Sequence, residues 1–208
     1  MDARPDYRIR TVEELRRRLG VPDKVTPLKL LTELDDEAVD FIRRAPFLVL
    51  STADAEGNQE ASPKGDDPGF VAVEDRKTLL IPDRKGNKLL FSLQNILANP
   101  HVGLLFIVPP NTETLRVNGR AELTADPVLL DRLAARGKPA EVAIRLRVDE
   151  CYFHCAKAFL RSGLWEHQRW PTRRPLSFGR YLAAKMKAGA ETARKIDAEV
   201  DEDYRTNL

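Results

Sequence analysis

The run Pro82-Asp83-Arg84-Lys85-Gly86-Asn87-Lys88 joins the end of an expected strand to the start of an expected helix. Cationic side chains there would meet the free amides of a helix N-terminus. A phosphate monoester needs this combination: arginine for bidentate hydrogen bonding, lysine as a point charge, and amide donors aimed at the anion. The plain alternative is a solvated basic turn, and its glycine matches neither a Walker loop nor a dinucleotide fingerprint. A second stretch, Ala61-Ser62-Pro63-Lys64-Gly65-Asp66-Asp67-Pro68-Gly69, ends a strand in a loop with a hydroxyl, a cation and two carboxylates. Its prolines and glycines shape it for backbone contacts to a flat ligand, while the bland reading is a charged surface loop. Nothing supports Asp66 and Asp67 as an acid/base pair.

Two further stretches carry polar groups at informative spacing. Alternation along a strand through residues 113–121 would set Thr114, Arg116 and Asn118 on one face and Leu115 and Val117 on the other. Such a polar face awaits a ligand or a partner subunit, or is an ordinary half-exposed strand. Residues 151–165 pack Cys151, His154, Cys155, Lys157, Arg161, Ser162 and Trp165 together. A zinc site would need a fourth ligand and usually a CxxC spacing, so no metal is expected. Adjacent residues on a strand point to opposite faces, which disfavours a Cys/His nucleophile pair. Lys157 and Arg161, four apart, would form a cationic pair beside Trp165 on a helix, able to grip an anion or an aromatic ring.

The elements that position these groups follow from the hydrophobic period. Thr11 with Glu14 marks the cap of a short helix closed by Gly20, and a second helical pattern runs from about Thr32 to Arg44. Strands are expected at Phe47–Thr52, Gln59–Ser62, Phe70–Val73, Thr78–Ile81, His101–Val108, Thr114–Leu123 and Val142–Phe153, the first two forming a hairpin. Helices are expected at Asn87–Ala98 and from Asp126-Pro127 to about Arg136, with a helical stretch bearing one apolar face after Pro175. Short strands close in sequence indicate an antiparallel barrel or sandwich.

Composition bounds the function. The 208 residues favour one domain with appendages over two very small ones. Lys+Arg 34 against Asp+Glu 32 leaves a net charge of only +2, so no global field drives the chain onto nucleic acid or an anionic membrane. The runs Arg16-Arg17-Arg18 and Arg173-Arg174 lack interleaved stacking aromatics and read as solvated faces. With 2 cysteines a disulfide framework is excluded, and no apolar run approaches the ~20 residues of a membrane span. The expectation is a cytoplasmic protein without a nucleic-acid or membrane partner.

Taken in order, Ser62–Asp66, Pro68–Val71, Ile81–Asn87, Asn95–Phe106, Thr114–Ala121 and His154–Ala158 resemble a subfamily of FMN-binding proteins related to pyridoxamine 5′-phosphate oxidase. The resemblance covers about Phe47 to Trp165. It implies a mainly β (α+β) fold, a split β-barrel with helical N- and C-terminal extensions, assembled as a homodimer with FMN at the subunit interface. The implied domains are an N-terminal helical extension at 1–45, a split-barrel domain at 46–170 and a C-terminal helical arm at 171–208. The implied cofactor-binding residues are Ser62, Lys64, Gly65, Pro82, Arg84, Asn87, Lys88, Thr114, Arg116, Lys157, Arg161, Ser162 and Trp165. Thr114 falls where the wider family tends to have glutamine, and the last four would complete the pocket. The chain carries no clear counterpart of the C-terminal Trp, Arg and His set that vitamin B6 oxidases use for pyridoxal phosphate. The expected function is therefore an FMN-dependent oxidoreductase acting on an unidentified small molecule, and the alternative is a non-catalytic flavin or haem binder of the same fold.

Overall fold

The computed structural model describes residues 7–86 and 88–207. They group into two compact units, one holding the chain through Asp83 together with Leu90–Ala156, the other Arg84–Leu89 and the chain from Lys157 onward.

In the first unit seven strands form one antiparallel sheet: β1 (Phe47–Ala53), β2 (Gln59–Gly65), β3 (Ala72–Asp75), β4 (Thr78–Asp83), β5 (His101–Ile107), β6 (Thr114–Thr124) and β7 (Val142–His154). Their spatial order is β2-β1-β5-β6-β7-β4-β3. The expected β1–β2 hairpin forms, with Leu50 opposite Ser62 and Leu48 opposite Lys64. Its turn is closed by the Asp54 carboxylate, which accepts from the amides of Glu56 at 3.0 Å and Asn58 at 2.8 Å. β2 is one edge of the sheet and β4 lies next to the other, yet Lys64 on β2 is ion-paired with Asp83 on β4. The sheet is therefore rolled until its ends approach, giving the split β-barrel.

The barrel is filled by Leu48, Leu50, Leu79, Ile81, Phe106, Leu115, Ile144 and Leu146, all fully buried. Burying such a side chain contributes about 1.5–3 kcal/mol, which is what holds the roll closed. Helix α1 (Val12–Leu19) has the expected cap, the Thr11 hydroxyl accepting from the Glu14 amide, but buries no residue. Helix α2 (Asp36–Arg44) is capped by Asp35 and buries Ala38, Phe41 and Ile42 against the sheet, Phe41 meeting Phe153 edge-on at 5.4 Å. Helix α3 (Phe91–Ala98) adds Leu93 and Ile96 to the same core. Helix α4 (Pro127–Arg132), opened by Asp126 and Pro127 as expected, covers a smaller cluster of Leu80, Leu133, Ala140 and Ala143.

Several boundaries differ from expectation: β2 runs on to Gly65 and β4 to Asp83, and α4 stops at Arg132 rather than near Arg136, and three further differences have a local cause. α2 starts at Asp36 rather than near Thr32, because the Asp35 carboxylate caps it there. β3 runs Ala72–Asp75 rather than Phe70–Val73. The helix expected from Asn87 begins only at Phe91: Lys88 and Leu90 take left-handed φ values of 60° and 58°, which a right-handed helix cannot incorporate. The basic turn thus lies ahead of the helix and not in its first turn.

The second unit contains α5 (Lys157–Ser162), a 3-10 turn at His167–Arg169, α6 (Phe178–Lys185) and α7 (Ala190–Thr206). The arm expected to carry one continuous apolar face is a helical hairpin that covers part of that face itself. Gly179, Ala183 and Ala193 are buried between α6 and α7, and a Cβ on Gly179 would stand 1.9 Å from the Ala193 carbonyl oxygen. Asp197 on α7 ties the start of α6, accepting from the Ser177 hydroxyl and the Gly179 amide, both at 2.7 Å. Among the described residues no helix is long and apolar enough to cross a membrane.

Candidate functional site

One face of β2 is built by strict alternation: Glu60, Ser62 and Lys64 are half-buried while Ala61, Pro63 and Gly65 are exposed. The Lys64 ammonium donates to the Asp83 carboxylate, the two side chains being 17% and 14% exposed. Partial burial makes this pair electrostatically stronger than a surface one. The stretch after Ala61, expected as a loop, is the second half of β2, and it meets the end of β4 through the Lys64–Asp83 pair. Asp83 is not among the residues expected to bind the cofactor; its signal is a carboxylate that follows the apolar strand and immediately precedes Arg84.

A polar network lies beside this pair on β2. Glu60 accepts from the Ser92 hydroxyl at 2.7 Å and from Thr52 at 3.4 Å, and the Asn95 amide donates to Thr52 at 3.0 Å. Thr52 and Ser92 are buried, so these bonds satisfy groups that would otherwise oppose packing, and they pin α3 to the β1–β2 hairpin. The two carboxylates after β2 are held away from catalysis: Arg136 stands 3.4 Å from Asp66 and 3.5 Å from Asp67.

The register sets Gly65, Phe47, Ile107, Thr114 and His154 in one row across β2, β1, β5, β6 and β7. Along β6, Arg116 and Asn118 are exposed and Leu115 and Val117 buried, as expected, but Thr114 is also buried, at 5% exposure. Its hydroxyl hydrogen-bonds to no described residue. Arg116 donates to the Tyr152 hydroxyl at 3.3 Å and lies 5.9 Å from that ring, with Lys29 at 5.6 Å. His154 is held less basic than usual by burial, then by Arg116 and Lys29. Cys151 faces the core and donates to the Glu33 carbonyl oxygen at 3.2 Å; burial pushes its thiol up to about 11, so it is no nucleophile near neutral pH. Among the described residues no three potential metal ligands cluster.

The remaining expected site residues belong to the second unit. Arg84 is half-buried and Lys88 exposed, while Asn87 lies outside the described residues. Lys85, between them, donates to the Asn207 side chain at 3.0 Å. Lys157 and Arg161 are exposed on α5. Ser162 donates to the Phe159 carbonyl at 3.0 Å, and Trp165, beyond the helix end, rests its ring 5.7 Å from Phe159. The structure thus joins Lys64 to the end of β4 and puts Gly65 and Thr114 in one row, and it holds Arg84, Lys88, Lys157, Arg161, Ser162 and Trp165 in the other unit.

A rolled antiparallel sheet whose ends are joined by the Lys64–Asp83 pair defines a split-barrel protein with a candidate ligand rim. Residues 34–155, more than half of the chain, match the family model described as pyridoxamine 5′-phosphate oxidase, and the chain belongs to that family. No curated protein matches it. Among solved structures it is similar to HupZ of Group A Streptococcus, at 18% identity over 57% of this chain and 91% of that one with a TM-score of 0.47. It is similar to a candidate pyridoxamine 5′-phosphate oxidase of Lactobacillus delbrueckii at 24% identity, covering 59% and 95% of the two chains with a TM-score of 0.47. An FMN-binding protein of Syntrophomonas wolfei is similar at 11% identity over 69% and 97%, with a TM-score of 0.45.

Proposed function

We propose that this protein is an FMN-binding flavoprotein that transfers hydride or electrons between the flavin and a small molecule, working as a homodimer with the flavin at the subunit interface. The observation that carries the reading is membership of the pyridoxamine 5′-phosphate oxidase family over residues 34–155. The residues present fit the cofactor chemically. Ser62 and Lys64 share one half-buried face, and the mostly buried Thr114 offers a hydroxyl with no described partner. Hydroxyls suit a polyol chain and an ammonium suits a phosphate.

In this reading Ser62, Lys64, Gly65 and Pro82 hold the phosphate and polyol end, with Arg84 and Lys88 adding positive charge and Asn87 a neutral side-chain amide. Thr114 and Arg116 line the flavin, and the family resemblance adds Lys157, Arg161, Ser162 and Trp165 to the cofactor-binding residues. FMN, when bound, supplies hydride and electron transfer at its ring. The protein contributes binding, orientation and exclusion of water. Asp83 keeps Lys64 extended along the barrel rim, and the Glu60 network keeps β2 and α3 in fixed relation.

The test is reconstitution followed by turnover. Protein mixed with FMN and freed of excess should retain the flavin, and NADPH or NADH should bleach it with recovery on admission of oxygen. Retention without bleaching by either donor would overturn the redox role, and failure to retain flavin would overturn the reading itself.

A further inference from the structure

The outward faces of β4, β6 and β7 bring three arginines together away from the rim. Arg120 on β6 stands directly opposite Arg147 on β7, and Thr78 on β4 is the partner of Arg147 on its other side. Arg145, two residues along β7, stands opposite Glu122. With Pro100 these residues line a surface groove of about 540 Å³.

Like charges placed directly opposite on a sheet repel, and the neighbouring carboxylates relieve this only in part. Arg145 is held by Glu74 at 3.0 Å, whereas Arg120 reaches Asp149 only at 4.0 Å. The Arg147 side chain makes no ion pair or hydrogen bond with any described residue. The backbone is nevertheless shaped to keep the pair in register. A bulge shifts the ladder between Asn118 and Gly119, and a Cβ on Gly119 would come within 2.0 Å of the Arg147 carbonyl oxygen. Only glycine permits this approach, and the shift points Arg120 and Arg147 to the same face.

We propose that this groove is an anion site for a small molecule bearing a diphosphate group. Arg120 and Arg147 grip one phosphoryl group through their guanidinium forks, and Arg145 meets the second. Glu122 inside the groove and the net charge of +2 disfavour a long polyanion. The site stands on the outward strand faces and does not depend on the flavin reading.

The test is calorimetric titration of the full chain with pyrophosphate and with orthophosphate, at matched ionic strength so that general screening is constant. Pyrophosphate should bind saturably and more tightly than orthophosphate, and about tenfold weaker in Arg147→Thr or Arg120→Thr. In phosphate-free, low-salt buffer Arg147→Thr should melt no lower than the parent, because a repulsion is removed and threonine suits a strand. Should it melt lower, Arg147→Lys keeps the charge without the fork and should still weaken binding. Undiminished binding in the arginine variants overturns the proposal. So does tighter binding of a single-stranded oligonucleotide than of pyrophosphate.

Discussion

At the scale of single residues, Lys64 and Asp83 matter most, because one ion pair joins the two ends of the rolled sheet and involves the cation proposed to meet the cofactor. Replacing Lys64 with Met leaves a mostly buried carboxylate alone, which should lower stability by about 1–3 kcal/mol in denaturant melts. It should also weaken FMN binding at least about tenfold in a flavin fluorescence titration. Adding Asp83→Leu should restore stability without restoring flavin, which separates the two roles. Cys151 makes a different prediction. Its folded thiol titrates near 11 against an ordinary value of 9.0, so the folded state favours the protonated form. That stabilisation is complete below pH 9.0 and is lost as pH rises through about 11. Melting curves of the parent should fall more steeply across that window than those of Cys151→Val, and at pH 8 a thiol reagent should modify exposed Cys155 alone in the folded chain.

At the scale of elements, the α6–α7 hairpin is the most exacting piece of packing. Gly179→Ala should splay it, since the new methyl would meet the Ala193 carbonyl oxygen; overpacking of this kind costs about 1–3 kcal/mol, readable as a loss of helical signal on heating. The Ser177 hydroxyl first, then the Gly179 amide, hold the Asp197 carboxyl below the usual carboxylate range. A depressed folded value stabilises the hairpin at neutral pH and withdraws that support as pH falls through it, so Asp197→Asn should flatten the acid limb of a helicity profile. The elements legible beforehand were those with local chemistry: the Thr11 cap, the Asp126-Pro127 start, and the β1–β2 hairpin with its Asp54 turn. The start of α3 was not, because Lys88 and Leu90 take left-handed conformations that their residue types do not advertise. Nor was the Lys64–Asp83 pair, which depends on how far the whole sheet rolls, or the break between α6 and α7, which lies at Met186–Gly189 where no proline marks it. The candidate rim was readable at Lys64 and Thr114 through the family resemblance, while Glu60 and Asp83, their structural supports, were legible only once strand register was known.

At the scale of the whole molecule, the split barrel supplies a rigid frame and the family match supplies its expected use. The fold alone does not determine a reaction, since one architecture hosts many. The proposed function turns on one claim, that the folded protein holds a flavin. Its most direct test is the visible absorption spectrum of the purified protein, taken before and after addition of FMN and removal of the excess, with protein concentration measured independently. The account predicts flavin bands at about one FMN per chain, carried by a species of dimer size on gel filtration. A folded protein that retains no flavin after reconstitution would contradict it.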